Sequence, residues 1–206
     1  MAPKTASERR GEQTREDVMR AAESLMAAHG YRATSMNDLI VESGVASSSI
    51  YWHFGSKAGV LAALMERGAT AFFDSIQAAA PAASHDDPRA ALEHVIHHSL
   101  NTVKENPSFL TLYFDFLLHP DDEPAVQEQV TAVRKAALET VRAHLRTSYA
   151  PYGAKRAIRI ADRVAPLAIA NFDGLFVALQ SNDETNLKRM LKDVADALHF
   201  VATTVR

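Results

Sequence analysis

The chain has no cysteine, a single tryptophan and no long uninterrupted apolar run. Without cysteine it cannot form a disulfide, a thiolate nucleophile or a cysteine-ligated zinc site. The first seventeen residues are polar and lack the apolar core of a signal peptide. No later segment approaches the roughly 20 apolar residues that a membrane-spanning helix needs. These absences favour a cytoplasmic protein that does not associate with membranes.

The net charge of the 206 residues is −3, so the chain is not a polycation that coats nucleic acid. Any contact with DNA must therefore come from the local placement of basic and polar side chains. Residues 1–70 contain eight basic and eight acidic residues, which leaves the whole acidic excess in the rest of the chain. Hydrophobic residues make up 47% of the sequence, enough to supply a folded core.

Apolar residues recur at helical spacing along most of the chain, and no segment sustains the alternation of a β-strand. The sequence therefore predicts an all-α fold. The first helix is expected from Thr14 to Gly30, and a long connecting helix is expected over 58–80. Five further helices are expected at 88–105, 107–118, 123–148, 155–180 and 184–205.

Two short helices joined by a tight turn are predicted near the start of the chain. In the stretch TSMNDLIVESG, Ser35 can cap a helix while Asp38 returns the bond as a capping box. That helix is expected to end at Gly44, and SSSIYWHF starts another a few residues later. Ile50 and Phe54, four residues apart, are expected to pack the second helix onto the core. The pattern is typical of a helix-turn-helix.

This part of the chain resembles the DNA-binding domain of the TetR family of transcriptional regulators. The motifs that carry the resemblance are GYRATS from position 30, ESGVASSSIYWHF from position 42 and the GSK that follows. The resemblance implies a DNA-binding domain over residues 1–57, of which 1–13 form a flexible arm. It also implies a helical ligand-binding and dimerisation domain over 58–206, in which 155–205 supply the dimerisation helices.

The resemblance further implies which side chains contact DNA. Tyr51 and Lys57 correspond to the family's phosphate contacts, one a phenol donor and the other a point charge. The three serines at the start of the recognition helix can read base edges or phosphates, although serine is also a common cap and turn residue. Trp52 and His53 either contact the duplex or line the domain surface. The full set of expected DNA contacts is Thr34, Ser47, Ser48, Ser49, Tyr51, Trp52, His53 and Lys57.

Two positions depart from the family pattern. The family often has serine or threonine where this chain has Ala46, so the cap of the recognition helix is expected to shift to Ser47. Ala58 replaces a common acidic residue in the first turn of the following helix. Neither departure alters the expected fold.

The last two predicted helices suggest a homodimer. Apolar residues nearly encircle the helix over 155–180, which indicates burial on two sides. The final helix carries a heptad seam that can pair with a second copy as a four-helix bundle. The alternative is a core within one chain. The residues of the seam are Leu187, Leu191, Val194, Leu198, Val201 and Val205.

A small, mostly apolar effector is expected to bind the second domain. The segment NPSFLTLYFDFLLHP carries aromatic residues on two helical faces, more than packing against one neighbour needs, although plain core is the alternative. Family resemblance puts this helix between the ligand cavity and the DNA-binding domain. Tyr113 and Asn171 are expected to offer hydrogen bonds and the aromatic rings contact area. The expected lining residues are Phe109, Tyr113, Asn171 and Phe172.

Enzyme chemistry has little support in the sequence, and no cofactor is expected. There is no phosphate-binding glycine loop, no serine nucleophile elbow and no obvious acid–base pair of carboxylates. His94 and His98 share a helix face at metal-ligand spacing, with His97 nearby, but a solvated polar face or a face turned to a ligand cavity explains them as well. The predicted function is transcription regulation by a repressor released from a palindromic double-stranded operator; an activator and a metal-binding all-α protein are the alternatives.

Overall fold

The structure is a computed structural model of the chain that describes residues 5–79, 87–105, 107–118, 124–180 and 184–206. These residues form nine α-helices and one short 3₁₀ helix at Ala150–Tyr152, and they contain no β-strand. The all-α prediction is confirmed. None of the described helices is long and apolar enough to cross a lipid bilayer. The helices are α1 (Ala6–His29), α2 (Met36–Ser43), α3 (Ser47–Phe54), α4 (Lys57–Ala79), α5 (Pro88–Glu105), α6 (Pro107–Leu118), α7 (Pro124–Ser148), α8 (Ala154–Leu179) and α9 (Glu184–Thr204).

The bounds of α5 and α6 agree with the sequence prediction, and those of α7 to α9 differ from it by one residue at most. The start of α1 was predicted wrongly, because the helix begins at Ala6 and not at Thr14. Thr5 and Glu8 form a capping box: the Thr5 amide donates to Glu8 Oε2 at 2.7 Å, and the Glu8 amide donates to Thr5 Oγ1 at 3.2 Å. Residues 6–13, expected to be part of a flexible arm, are therefore helical.

The chain divides into two compact units. The first unit comprises Met1–Ala69 and Pro107–Val133, and the second comprises Thr70–Asn106 and Arg134–Arg206. The helices α4 and α7 begin in the first unit and end in the second. The two units are defined by which segments pack together. The boundary expected after residue 57, between a DNA-binding domain and a ligand-binding domain, stays a prediction.

The first unit is built around α1, which contacts α2, α3 and α6. Its apolar side chains at helical spacing are removed from water, and Val18, Leu39 and Ile50 have no exposed surface. Burial of one such side chain stabilises a fold by roughly 1.5–3 kcal/mol. The short helices α2 and α3 are therefore held in place mainly by the side chains that they bury in this core. The sequence prediction that Ile50 is a core residue agrees with this packing.

The second unit is built around α5, α8 and α9, which contact one another. Its core contains Ile160, Val164 and Leu198 together with Tyr149, whose ring is fully buried. The buried Tyr149 hydroxyl lies 2.9 Å from His199 Nδ1, so its polar group is satisfied inside the core. Burial raises the pKa of the Tyr149 phenol.

The heptad seam of α9 was predicted to face a second copy, and the structure corrects this. Leu187 and Leu191 pack against α5 and α8 residues within the second unit, and Leu198 and Val205 belong to its core. Helical periodicity reveals a buried face but not the partner that covers it. The seam is therefore an intrachain core, the alternative that the sequence left open.

A different face of α8 and α9 carries most of the exposed apolar side chains of these two helices. Phe200 is 69% exposed and Val177 is 63% exposed. These residues lie about 180° around their helices from the buried stripes, by the 100° turn per residue. The exposed apolar face is formed by Pro166, Leu167, Ala170, Gly174 and Val177 on α8, and by Ala197 and Phe200 on α9.

Candidate nucleic-acid interface

The predicted helix-turn-helix is formed by α2 and α3. Ser35 and Asp38 cap α2 reciprocally: the Ser35 amide donates to Asp38 Oδ2 at 2.8 Å, and the Asp38 amide donates to Ser35 Oγ at 3.2 Å. The Ser35 hydroxyl, which also donates to Asp38 Oδ2 at 2.7 Å, and the Ser35 amide hold the pKa of the Asp38 carboxyl below its usual value. Gly44 ends α2 in the left-handed conformation, with φ 66°, and its amide donates to Ile40 O at 3.0 Å. Both ends of α2 are thus set locally.

The helix α3 is held on the unit by one fully buried and one partly buried side chain. Ile50 has no exposed surface, and the half-buried ring of Phe54 lies 5.0 Å from the guanidinium carbon of Arg15 on α1. Ala46 occupies the N-cap position, and no side chain caps the helix there. The cap expected at Ser47 is therefore corrected, because the helix begins with backbone hydrogen bonds to Ala46 alone.

The opposite side of α3 points away from the core. Ser47 and Ser48 are exposed, Ser49 is half-buried, Tyr51 is 49% exposed and Trp52 is 80% exposed. An exposed indole is unusual on a protein surface that binds nothing, because it leaves a large apolar area in water. This α3 face gathers most of the side chains that the sequence predicted as DNA contacts.

His53 lies at the edge of that face, between α3 and α1. Its ring meets the Trp52 ring edge-on, with 4.6 Å between centroids. A β-carbon placed on Gly11 of α1 would lie 3.8 Å from His53 Cε1, so the imidazole sits beside the α1 backbone. His53 is half-buried in this position, which leaves both of its alternatives, contacting DNA or lining the domain surface, in place.

Thr34 and Lys57, the other two expected contacts, are engaged inside the unit. Thr34 is 3% exposed and its hydroxyl donates to Gly30 O at 2.9 Å, so its side chain cannot reach DNA and this expectation is corrected. The half-buried ammonium of Lys57 donates to the carbonyl oxygens of Tyr31 and Thr34. An exposed residue that sequence reasoning missed is Val41 on α2, whose side chain is 74% exposed.

The expected ligand residues divide between the two units. Phe109 and Tyr113 belong to the first unit, where a β-carbon on Gly68 of α4 would lie 2.7 Å from the Phe109 ring. One cavity that Phe109 lines, together with Gly68 and Leu112, has a volume of about 30 Å³, which is room for about one water molecule and not for an effector. Tyr113 is buried. These two aromatic residues therefore pack tightly in this structure.

Asn171 and Phe172 belong to the second unit. The Asn171 amide donates to Leu167 O of its own helix at 2.8 Å, so one of its donors is in use. The Phe172 ring lies 6.0 Å from the ring of Phe72 on α4. The aromatic partner Phe72 was not singled out in the sequence, since one phenylalanine in an apolar helix gives no signal of its contacts.

The three histidines of α5 differ in their surroundings. His94 and His97 are exposed, whereas His98 turns toward α4, with its Nε2 3.0 Å from Ser75 Oγ. Ser75 Oγ also lies 3.2 Å from the Thr102 hydroxyl. No group of three or more metal-ligating side chains occurs within the parts of the chain that are described. Ser75 of α4 and His98 and Thr102 of α5 form a hydrogen-bonded group.

Two sequence comparisons agree with the helix-turn-helix. Residues 18–64 match the family model described as bacterial regulatory proteins of the tetR family. The HTH-type transcriptional repressor KstR2 of Rhodococcus jostii (strain RHA1) is 28% identical over 120 residues, which cover 58% of this chain and 58% of that protein. The match therefore spans just over half the length of this curated relative.

Solved structures share the fold over most of the chain. The transcriptional regulator FadR from Bacillus subtilis, in complex with stearoyl-CoA, has a TM-score of 0.68 and 15% identity, covering 89% of this chain and 96% of that one. The SmeT–triclosan complex has a TM-score of 0.64 and 24% identity, covering 90% of this chain and 89% of that one. At these identities the likeness establishes the fold.

Proposed function

We propose that this chain, whose residues 18–64 match the model of the TetR family of bacterial regulatory proteins, is a homodimeric repressor of that family that binds a palindromic operator and leaves it when a small, mostly apolar molecule binds. The observation that carries this proposal is the α3 face, where Ser47, Ser48, Tyr51 and Trp52 are exposed. On this proposal the protein acts by binding and not by catalysis, in the cytoplasm where operator DNA is found.

In the proposed complex α3 lies in the major groove. A short helix held by Ile50 can enter the groove while Ser47 and Ser48 reach base edges with their hydroxyl groups. The Tyr51 hydroxyl donates to a phosphate oxygen, and the Trp52 indole packs on the sugar–phosphate backbone or a thymine methyl group. Phosphate contacts fix the register and base contacts supply the sequence preference.

The proposed dimer uses the exposed apolar face of α8 and α9. Phe200 and Val177 leave large apolar areas in water, and small residues such as Gly174 and Ala170 permit close helix packing. A two-fold axis through this face would form a four-helix bundle. Two recognition helices would then read half-sites about 34 Å, or a multiple of one helical turn, apart.

The effector proposal rests on the relatives and on the aromatic pair of Phe72 and Phe172. FadR was solved with stearoyl-CoA and SmeT with triclosan, and each of these ligands has a large apolar part. We propose a ligand of this kind for the second unit, with Asn171 turning its amide to a polar group. Phe109 and Tyr113 stay predictions as lining residues. By linkage, an effector that weakens DNA binding must itself be weakened by DNA to the same factor.

An operator selection tests the proposed function. Purified protein is used to enrich duplexes from a random-sequence pool, and we expect one palindromic sequence to emerge. The Ser47→Ala variant should change the enriched bases and Trp52→Ala should weaken binding, whereas His97→Ala, an exposed change in the second unit, should do neither. Failure of the wild-type protein to enrich any sequence would reject the proposal.

A thermal-shift screen tests the effector. Apolar and aromatic metabolites are screened for those that raise the unfolding temperature, and each hit is then tested for release of the selected operator. We expect Phe172→Ala to abolish both effects. Compounds that stabilise the protein without changing its DNA affinity would show that a ligand pocket exists but does not regulate DNA binding. Operator binding that strengthens with the ligand would favour the alternative of an activator.

A further inference from the structure

Lys57, the first residue of α4, has an ammonium group that is bound within the first unit. Its Nζ donates to Tyr31 O at 3.0 Å and to Thr34 O at 2.8 Å. Both carbonyls lie in the connection between α1 and α2, 23 to 26 residues earlier in the chain. Hydrogen bonds from a charged donor are stronger than those between neutral groups. The lysine therefore ties the start of α4 to the α1–α2 connection.

The same ammonium lies over an aromatic ring. Lys57 Nζ is 4.1 Å from the centroid of Tyr31, whose residue is only 5% exposed. A cation–π contact largely removed from water is stronger than one at an open surface. The Tyr31 ring in turn packs in a T-shaped arrangement with the ring of Phe116 of α6, with 5.1 Å between centroids. Two carbonyl oxygens and one aromatic ring therefore occupy most of the positions around the Lys57 ammonium, which has three N–H donors.

A lysine that contacts a phosphate needs its ammonium at the surface, and Lys57 would have to give up these partners to provide it. We propose instead that Lys57 is a positioning residue for DNA binding, whose ammonium clamps the start of α4 to the α1–α2 connection and so places α3. Only Gly55 and Ser56 separate α3 from α4, so the start of α4 determines where the recognition helix ends. The effect on DNA rests on the proposed function, whereas the clamp is a property of the free protein.

Three variants and two measurements test this inference. Lys57→Met removes the charge and the donors but keeps the length of the side chain, and Lys57→Gln keeps an N–H donor without the charge. Lys155→Met, at an exposed position in the first turn of α8, changes the net charge by the same amount and is the control. The first measurement is the unfolding of the free protein in urea at one protein concentration. The second is the salt dependence of binding to a random-sequence duplex.

We expect Lys57→Met to lower the folding equilibrium constant by about tenfold, the scale of losing hydrogen bonds from a charged donor. Lys57→Gln should lose less, and Lys155→Met should match the wild type. A double change of Tyr31→Leu with Lys57→Met should cost less than the sum of the single changes, because ring and ammonium act as a pair. In duplex binding, both Lys57 variants should bind more weakly with an unchanged slope of log K against log salt.

A phosphate contact gives the opposite pattern. Removing one cation that neutralises a phosphate reduces the steepness of that slope by about 0.9. Such a reduction in Lys57→Gln, or a wild-type unfolding midpoint in Lys57→Met, would overturn the clamp. If Lys57→Met does not fold, the Gln variant still decides between the two roles. If the wild-type protein shows no salt-dependent duplex binding, the proposed function fails while the unfolding measurements still test the clamp.

Discussion

Replacing Gly59 by alanine tests how closely α4 follows α3. Gly59 lies in the first turn of α4, where its amide donates to Ser56 Oγ at 3.1 Å. A β-carbon at this position would lie 1.9 Å from the carbonyl oxygen of Phe54 and 3.0 Å from its carbonyl carbon. These are backbone atoms at the end of α3, so no rotation of a side chain can relieve the overlap. The two helices must separate by about 1 Å before alanine fits.

Opposing terms determine the size of the effect. Alanine is favoured over glycine inside a helix by about 1 kcal/mol. Overpacking typically costs about 1–3 kcal/mol, and more where the backbone must move. The hydrogen bond that the Ser56 amide donates to Phe54 O, at 2.8 Å, contributes about 1 kcal/mol more to the loss if it breaks. We expect a net loss of about 2 kcal/mol, which lowers the Tm of a chain of this size by about 4–8 °C.

Gly11→Ala is the matched control for this experiment. Gly11 lies inside α1 of the same unit, and its added β-carbon would meet His53 Cε1 at 3.8 Å, an ordinary contact distance. This variant should gain up to about 1 kcal/mol from helix propensity. Thermal unfolding followed by circular dichroism compares the two variants. An equal rise in Tm for both would refute the argument that α4 closely approaches the last carbonyl of α3.

Further predictions follow from the exposed and buried faces. Phe200→Glu should convert the proposed dimer to monomers of unchanged helicity, as measured by sedimentation. Leu191→Glu should instead lower the Tm of the second unit, because Leu191 is a core residue that is only 7% exposed. The reverse result would return the dimer interface to the heptad seam. Gly68→Ala should lower the Tm, since its β-carbon would overlap the ring of Phe109 at 2.7 Å, and an unchanged Tm would show that the ring moves freely. Trp52 is the only tryptophan, so its fluorescence should change when a duplex is added, and a constant emission spectrum would exclude it from the interface.

The helix pattern was predictable because apolar periodicity and local capping depend on residues close in sequence. Ser35 and Asp38 illustrate this, since the capping box read from the sequence is present in the structure. The early start of α1 was missed although the same signal existed, with Thr5 followed three residues later by Glu8. The polar residues after Thr5 lack apolar periodicity, and a rule based on that periodicity alone places the helix start too late.

The partners of each face were less predictable. The spacing of Leu187, Leu191 and Leu198 specified a buried stripe, but only the tertiary structure shows that the same chain covers it. Lys57 was expected at DNA because the family resemblance supplies a role for its position, whereas its hydrogen bonds to Tyr31 and Thr34 join residues far apart in sequence. Such contacts depend on how the helices pack, and they produce no periodic pattern in the sequence.

The first unit is assembled from two separate segments of the chain, and this has a consequence for its synthesis. Tyr31 leaves the ribosome long before Phe116, whose ring packs against the Tyr31 ring. A nascent chain that ends at residue 69 holds α1, α2 and α3 but none of the contribution from Pro107–Val133. During translation the side of α1 that contacts α6 therefore stays open to solvent until α6 has emerged. Folding of this unit is complete only after the intervening part of the second unit has been made.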